Sequence, residues 1–218
     1  MEISSVPRTL RLEPWVDQRA RWPTEGRHVL AQFDESSIVV YQAYRPEIGR
    51  QAVAEQRFGG PFFKFERMSW IKTSFLWMMF RSGWGTKENQ ECVLAIHLRR
   101  DAFAEILSQT VPAKFIPELH ATEVDWHEAL RHSNVRLQWD PDHGPRGQPM
   151  ARRAIQLGLR GDVLRRFGTE WITRMEDISG YVADQRMRLS AGHEDLLIPQ
   201  ELSYGPLEPA VAARVRVS

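Results

Sequence analysis

The chain contains a single cysteine, Cys92, among 218 residues, so no internal disulfide can form and a reducing compartment is the expectation. It carries almost no excess charge. Lys and Arg number 29 against 28 Asp and Glu, a formal net charge of +1. That balance argues against a general polyanion binder but leaves room for a local basic groove, because net charge is silent about distribution. No apolar run approaches the roughly 20 residues that a membrane-crossing helix needs. The opening MEISSVPRTLRLEPW has no apolar segment behind a basic start, so no secretory leader is expected and the cytoplasm is the default location.

The signatures of common chemistries are missing as well. There is no GxxxxGK[S/T] phosphate loop, no GxGxxG after a strand, no GxSxG elbow and no HExxH. His120, His127 and His132 do not share a metal-ligand spacing, and with one cysteine in the chain no metal site is expected. A nucleotidyl-transferase Lys-x-Asp-Gly is also absent, since Lys72 is followed by Thr73, Ser74 and Phe75. No repeat of solenoid or propeller period and no low-complexity stretch occurs.

What is present fits one ordinary globular core, with 42% hydrophobic and 26% charged residues. The pattern predicts a single α+β domain over 27–198, a mixed and mostly antiparallel sheet with flanking helices, preceded by an arm (1–26) and followed by a tail (199–218). His28–Phe33 and Ser37–Tyr44 read as two β-rich runs, forming a hairpin or two successive strands. Pro46 then starts a helix that ends before Gly59-Gly60. Cys92–Leu98 is the clearest buried strand, with a short helix after Arg99-Arg100-Asp101. Thr122 and Asp125 form a capping box in front of another helix. Asn134–Pro141 alternates Val135, Leu137 and Trp139 with Arg136, Gln138 and Asp140, a strand with one polar face, and Arg152–Leu159 reads as the next strand. From Gly161-Asp162 the spacing of Val163, Phe167, Trp171, Met175 and Ile178 predicts one long amphipathic helix.

The densest stretch is RMSWIKTSFLWMMFRSGWGTKENQ, from Arg67 to Gln90, which sets Trp70, Trp77 and Trp84 among Arg67, Lys72, Arg81 and Lys87. The spacing predicts a helix over Ile71–Phe80, stopped by Gly83 and Gly85. Two readings of its cations stand side by side. Arg81 either stacks on Trp77 and pairs with a carboxylate, or converges with Lys72 and Lys87 on an anion, arginine as a bidentate fork and lysine as a point charge. Gln42 and Tyr44 end a strand just before a helix, a place where α/β sites are often built.

The segments VVYQAY, RMSWIKTSFLWMMFRSGW, VLAIHLRR, VRLQWDP and RAIQLGL resemble, in that order, the family catalogued as domain of unknown function 4291, over about Trp22 to Ile178. Where the family pattern has Pro this chain has Thr73, a change that bears on the helix start. The resemblance carries no activity. It implies that the polar residues matching its motifs are the site: Gln42, Tyr44, Arg67, Lys72, Ser74 and Arg81, then Lys87, Gln90, Arg136, Gln138, Asp140, Arg153 and Gln156. VVYQAYRPEIGRQAVAEQRFGG is also similar to the opening strand and helix of ADP-ribosyltransferase-like folds, in which an aromatic or His at the strand end helps hold NAD. No catalytic Glu stands in a strand context, and Asp140 is a shortened substitute.

Two functions follow as expectations. One is a nucleotide- or nucleic-acid-directed enzyme, a transferase acting on NAD or on a phosphorylated end. Arg67, Lys72, Arg81 and Arg136 would clamp phosphates in one shared hollow, Tyr44 and the tryptophans would stack a base, Gln42 and Gln138 would read its edge, and Lys72 and Asp140 would carry the chemistry. The other is a noncatalytic RNA-binding module that uses the same groups for affinity alone. The implied ligand is NAD or another nucleotide, the partner a nucleotide or nucleic acid, and neither metal nor membrane is called for.

Overall fold

A strand as apolar as Val93–Ile96 is stable only when both of its faces are covered, and the fold supplies a layer on each. The structure is a computed structural model and describes residues 6–192 and 195–218. In chain order its elements are β1 (Leu12–Pro14), α1 (Trp15–Arg21), β2 (Leu30–Ala31), β3 (Ser37–Tyr44), α2 (Pro46–Glu55), β4 (Ser69–Lys72) and α3 (Phe75–Ser82). Then come β5 (Cys92–Arg99), α4 (Arg100–Ser108), β6 (Thr110–Pro112), α5 (Glu123–His132), β7 (Val135–His143), β8 (Pro149–Leu159) and α6 (Gly161–Arg166). A π-helical turn over Phe167–Trp171 leads into β9 (Ile172–Asp177), α7 (Ser179–Ser190), β10 (Leu197–Pro199), β11 (Leu202–Ser203) and α8 (Pro209–Val215).

Seven strands form the main sheet in the order β6-β7-β8-β4-β3-β5-β9. Only the β6–β7 pair is parallel, so this is a mixed, mostly antiparallel sheet in one α+β domain. Alternation along β3 sends Ile38 and Val40 into one core, with Ile71, Leu94, Phe103, Phe167 and Trp171. Val39 and Tyr41 go into the other, with Phe75, Leu76, Met79 and Tyr181.

The two flanks of β3 differ sharply. Toward β5 it pairs along its whole length, from Ser37↔Arg99 to Tyr44↔Cys92. Toward β4 the only register pair is Tyr41↔Lys72, and beyond it the two strands part. A gap therefore opens in the middle of the sheet, at the C-terminal end of β3.

Two elements differ from what periodicity predicts. Ile71–Phe80 is not one helix: Ser69–Lys72 is a strand that pairs with Leu159–Gln156 of β8, and the helix starts only at Phe75. Ser74 makes the break by capping α3, its Oγ accepting from Trp77 N at 3.3 Å. The long helix predicted from Gly161 stops at Arg166, and Ile172–Asp177 pairs instead with the outer edge of β5. The β5 edge would otherwise bury unpaired backbone groups, and β-branched Ile172 and Thr173 suit the extended form. Phe167, Trp171 and Met175 still reach the core that their spacing suggested.

The segments flanking residues 27–198 pack onto the same sheet. β1 pairs with β10 and β2 with β11, while Val215 of α8 is fully buried and its carbonyl accepts from Trp139 Nε1 at 2.8 Å. The Thr122–Asp125 capping box of α5 is formed in both directions. No helix among the described residues is long and apolar enough to cross a membrane, and no group of three His, Cys, Asp or Glu among them is placed to hold a metal ion.

Candidate functional site

The parting of β3 and β4 makes a cavity of about 480 Å³, lined from β3 by Gln42 and Tyr44, from β4 by Ser69, Trp70 and Lys72, and from β7 and β8 by Gln138 and Gln156. Met78 and Arg81 of α3 and the Glu88–Gln90 loop close it. Sheet register places its floor directly: Lys72 is opposite Gln156, which is opposite Gln138. Three residues far apart in sequence thus stand in one row on one face.

Lys72 is 5% exposed, and its Nζ lies 5.0 Å from the centroid of the Trp77 ring. Among the described residues no carboxylate forms an ion pair with it and no acceptor hydrogen-bonds its Nζ, Asp140 acting on it only at a distance. Burial, helped by the neighbouring Arg81 and opposed by Asp140, pulls its ammonium down to about 7. Near neutral pH a large share of this amine is uncharged, so it can donate to an anion when protonated and take a proton when not. Arg81 is exposed on the cavity wall, without an ion-pair partner among the described residues.

The glutamines are oriented by chemistry that admits only one arrangement. Both oxygens of Asp140 accept amide hydrogens, from Gln138 Nε2 at 2.7 Å and from Gln156 Nε2 at 2.5 Å. A carboxylate has no proton to give at neutral pH, so each amide must turn its nitrogen to Asp140 and keep its carbonyl oxygen for something else. Gln42 Nε2 is held likewise, by Ser69 Oγ at 2.8 Å and by the Trp70 carbonyl at 3.1 Å, replacing ladder bonds lost where the strands part. Its Oε1 is buried with no hydrogen-bond partner among the described residues. Three amide acceptors therefore sit beside two cations. The Tyr44 hydroxyl shares a 2.6 Å hydrogen bond with Ser69 Oγ, and burial raises its pKa against the opposing bonds from Ser69 and Gln42.

The expected convergence of four cations is partly redistributed. Lys72 and Arg81 line the cavity; Arg67 lines an adjoining hollow; Arg136 lines neither, and its Nε is buried without a partner. Lys87 turns away, its Nζ donating to the Arg81 carbonyl at 2.8 Å at the end of α3. Arg153 lies on the opposite face of β8 in a separate hollow with Arg27 and Trp139, which Asp140 also borders. Asp140, expected as the base, holds two amides and does not line the central cavity. Of the three tryptophans only Trp70 lines the cavity. Trp77 and Trp84 are buried, Trp84 Nε1 donating to the Pro145 carbonyl at 3.1 Å. Lys72, not Arg81, is the cation over Trp77.

Ser74 belongs to a different network. Its Oγ donates to Asp142 Oδ1 at 3.2 Å, and Asp142 Oδ2 is bridged by Arg152 Nε at 2.7 Å. Glu201, between β10 and β11, accepts the Phe75 N–H at 2.6 Å and is 1% exposed.

Residues 28–204 match the family model described as Domain of unknown function (DUF4291). The chain belongs to this family. No curated protein matches it. In this DUF4291 protein Ser69, Met68, Glu88 and Asn89 at the cavity, and Asp142, Arg152 and Glu201 in the buried network, carry no motif that singles them out in the sequence. Trp70 packs across β8 at Gly158, where an added Cβ would lie 3.0 Å from the indole and 2.7 Å from Met68 Sδ. A glycine in the middle of a strand facing a tryptophan is the one local signal for that platform.

Proposed function

We propose that the central cavity of this DUF4291 protein recognises a nucleotide, free or at the end of a nucleic acid, with Lys72 and Arg81 toward its negative charge. The carrying observation is the pairing, in one 480 Å³ hollow, of amide acceptors held by fixed partners with two cations that lack a carboxylate partner among the described residues. Amide carbonyls take the N–H groups of a base or of a carboxamide, a guanidinium and an ammonium take phosphate oxygens, and the Trp70 face offers a stacking surface. Lys87, Arg136 and Arg153 are left out of this reading, and Asp140 serves it through Gln138 and Gln156.

A second reading, transfer from NAD, is favoured by the lowered pKa of Lys72 beside these acceptors. The bond between the ribose C1′ and the nicotinamide nitrogen breaks with its electron pair going to nitrogen, and neutral nicotinamide leaves. An acceptor hydroxyl oxygen bonds to C1′, and its proton passes to the uncharged Lys72 amine. Release of free nicotinamide from NAD in the presence of a hydroxyl acceptor tests it, and no release excludes it.

Recognition itself is tested by thermal shift with NAD, ATP and other nucleotides. A ligand at a hundredfold its Kd adds about 2.7 kcal/mol to stability, a shift of several degrees. Lys72→Met and Gln156→Leu should each reduce it. No shift with any nucleotide, together with salt-sensitive binding of an RNA oligonucleotide, would select the noncatalytic RNA-binding module instead.

A further inference from the structure

Beside the central cavity lies a second hollow of about 600 Å³, and the two share Tyr44, Met68, Ser69 and Asn89, so they adjoin. Their chemistry differs. The central part is lined by amides, whereas the second is lined by Arg45, Lys64 and Arg67 with no carboxylate on its walls. Lys64 and Arg67 stand on one turn, closed by Arg67 N donating to the Lys64 carbonyl at 3.3 Å, and neither has an ion-pair partner among the described residues. Arg45 meets only Glu47, at 3.9 Å between two largely exposed side chains, a contact that solvent screens.

The same walls carry an apolar surface that the fold does not use. Phe62 is 43% exposed, with the Arg45 guanidinium 5.1 Å from its ring centroid. Behind it Phe63 stacks on Phe58 at 4.6 Å and meets Tyr44 edge-on at 5.9 Å, so the wall is braced by the core. Cations with no partner or only a weak, screened one, spaced along the hollow next to an open ring, are what a charged backbone with a π-surface on each unit requires. A single nucleotide fills the amide-lined part and leaves this charge unanswered.

Resting on the nucleotide reading of the central cavity, we infer that the second hollow holds the sugar-phosphate backbone of a single-stranded nucleic acid whose end nucleotide occupies the first. Lys64, Arg67 and Arg45 meet successive phosphates, and Phe62 stacks the adjacent base. Every contact is to phosphate or to a ring face, so RNA and DNA of one sequence both bind, and parallel titrations of the two measure any preference.

The test is fluorescence anisotropy of labelled single-stranded 8-mers with the wild-type protein, the double variant Lys64→Glu/Arg67→Glu, and Phe62→Ala, at several salt concentrations. These side chains are exposed, and an unchanged Tm without ligand confirms that the variants fold. The double variant should bind at least tenfold more weakly, with the slope of log K against log salt reduced by about 1.4, or about 0.7 for each cation lost. Phe62→Ala should bind several-fold more weakly with the slope unchanged, while the thermal shift with a mononucleotide stays as in the wild type. Equal oligonucleotide affinity in wild type and double variant overturns the inference, as does absence of oligonucleotide binding where a mononucleotide saturates. Failure of the central reading looks different: no mononucleotide shifts the wild type, yet oligonucleotide binding still depends on Lys64 and Arg67.

Discussion

Two polar regions flank the turn at Thr73-Ser74, one sealed and one open. In the sealed one, Asp142 and Arg152 are 2% and 3% exposed and bridge each other at 2.7 Å, with Ser74 and the His143 N–H also on Asp142. Arg152 lies over the Trp22 ring, and Glu201 takes the first N–H of α3. Burial pushes the Glu201 carboxyl well above the usual carboxylate range against the pull of the Phe75 N–H, with Asp142 adding to the rise and Arg152 opposing it. Charge there is balanced from within. In the open region Lys72, nearly as buried, has no carboxylate ion-paired with it among the described residues, Asp140 acting only at a distance, and the carbonyl of Gln42 has no donor among them. Burying an unanswered cation is costly, and a protein keeps one where something from outside answers it. The contrast separates polar residues whose partners lie within the fold from those that the nucleotide proposal would pair with a ligand.

The comparison breaks most visibly on the sealed side. Arg152→Met strands the Asp142 carboxylate in the interior and should cost about 3–5 kcal/mol, read as a lower urea midpoint at pH 7. Gly158→Ala sharpens it on the open side: the new methyl meets Met68 and Trp70 inside contact distance, which should cost about 1–3 kcal/mol, alter tryptophan fluorescence and weaken nucleotide binding.

Lys72→Met should act in the opposite direction. The folded pKa of Lys72, about 7, lies below its ordinary 10.5, so between those values the unfolded chain binds more protons and wild-type stability gains with rising pH. Below about 7 both states are protonated and the cost of burying the charge is fully present. The variant should therefore be more stable than wild type at pH 6–7, with the gap closing toward pH 10 in paired urea titrations, and it should lose the nucleotide shift. A variant less stable than wild type at pH 6 would show that Lys72 is a structural cation. The smallest effect is expected for Gln138→Leu, about 1 kcal/mol in stability because Asp140 keeps Gln156, but a clear loss of nucleotide affinity.

Much of this was legible along the chain, and the parts that were not share a cause. β3, β5, β7 and β8 announce themselves by alternation or by continuous apolar runs, α2 by Pro46 in its first turn and α5 by its capping box. β4 and β9 do not, because the residues around them satisfy a helical period equally well, and the choice falls to strands dozens of residues away whose edges need partners. At the site, Gln42, Tyr44, Lys72, Arg81, Gln90, Gln138 and Gln156 were named from the sequence and do line one cavity. Arg153 was grouped with Gln156, yet three residues of separation on a strand puts them on opposite faces, a parity that the sequence already contained. Glu201 and Asp142 had no local signal at all, since their importance arises only from being buried against each other's neighbours.

The sequence by itself determined the local forms: alternating strands with one polar face, a helix opened by the Thr122–Asp125 capping box, cations and rings crowded between Arg67 and Gln90, and a +1 balance that leaves any basic surface local. Only the tertiary structure decided which of those cations would be deprived of a counter-charge. That outcome depends on the parting of β3 from β4 and on the register that sets Lys72, Gln156 and Gln138 in a row. Burial and strand pairing are relations between distant segments, and no window along the chain contains them.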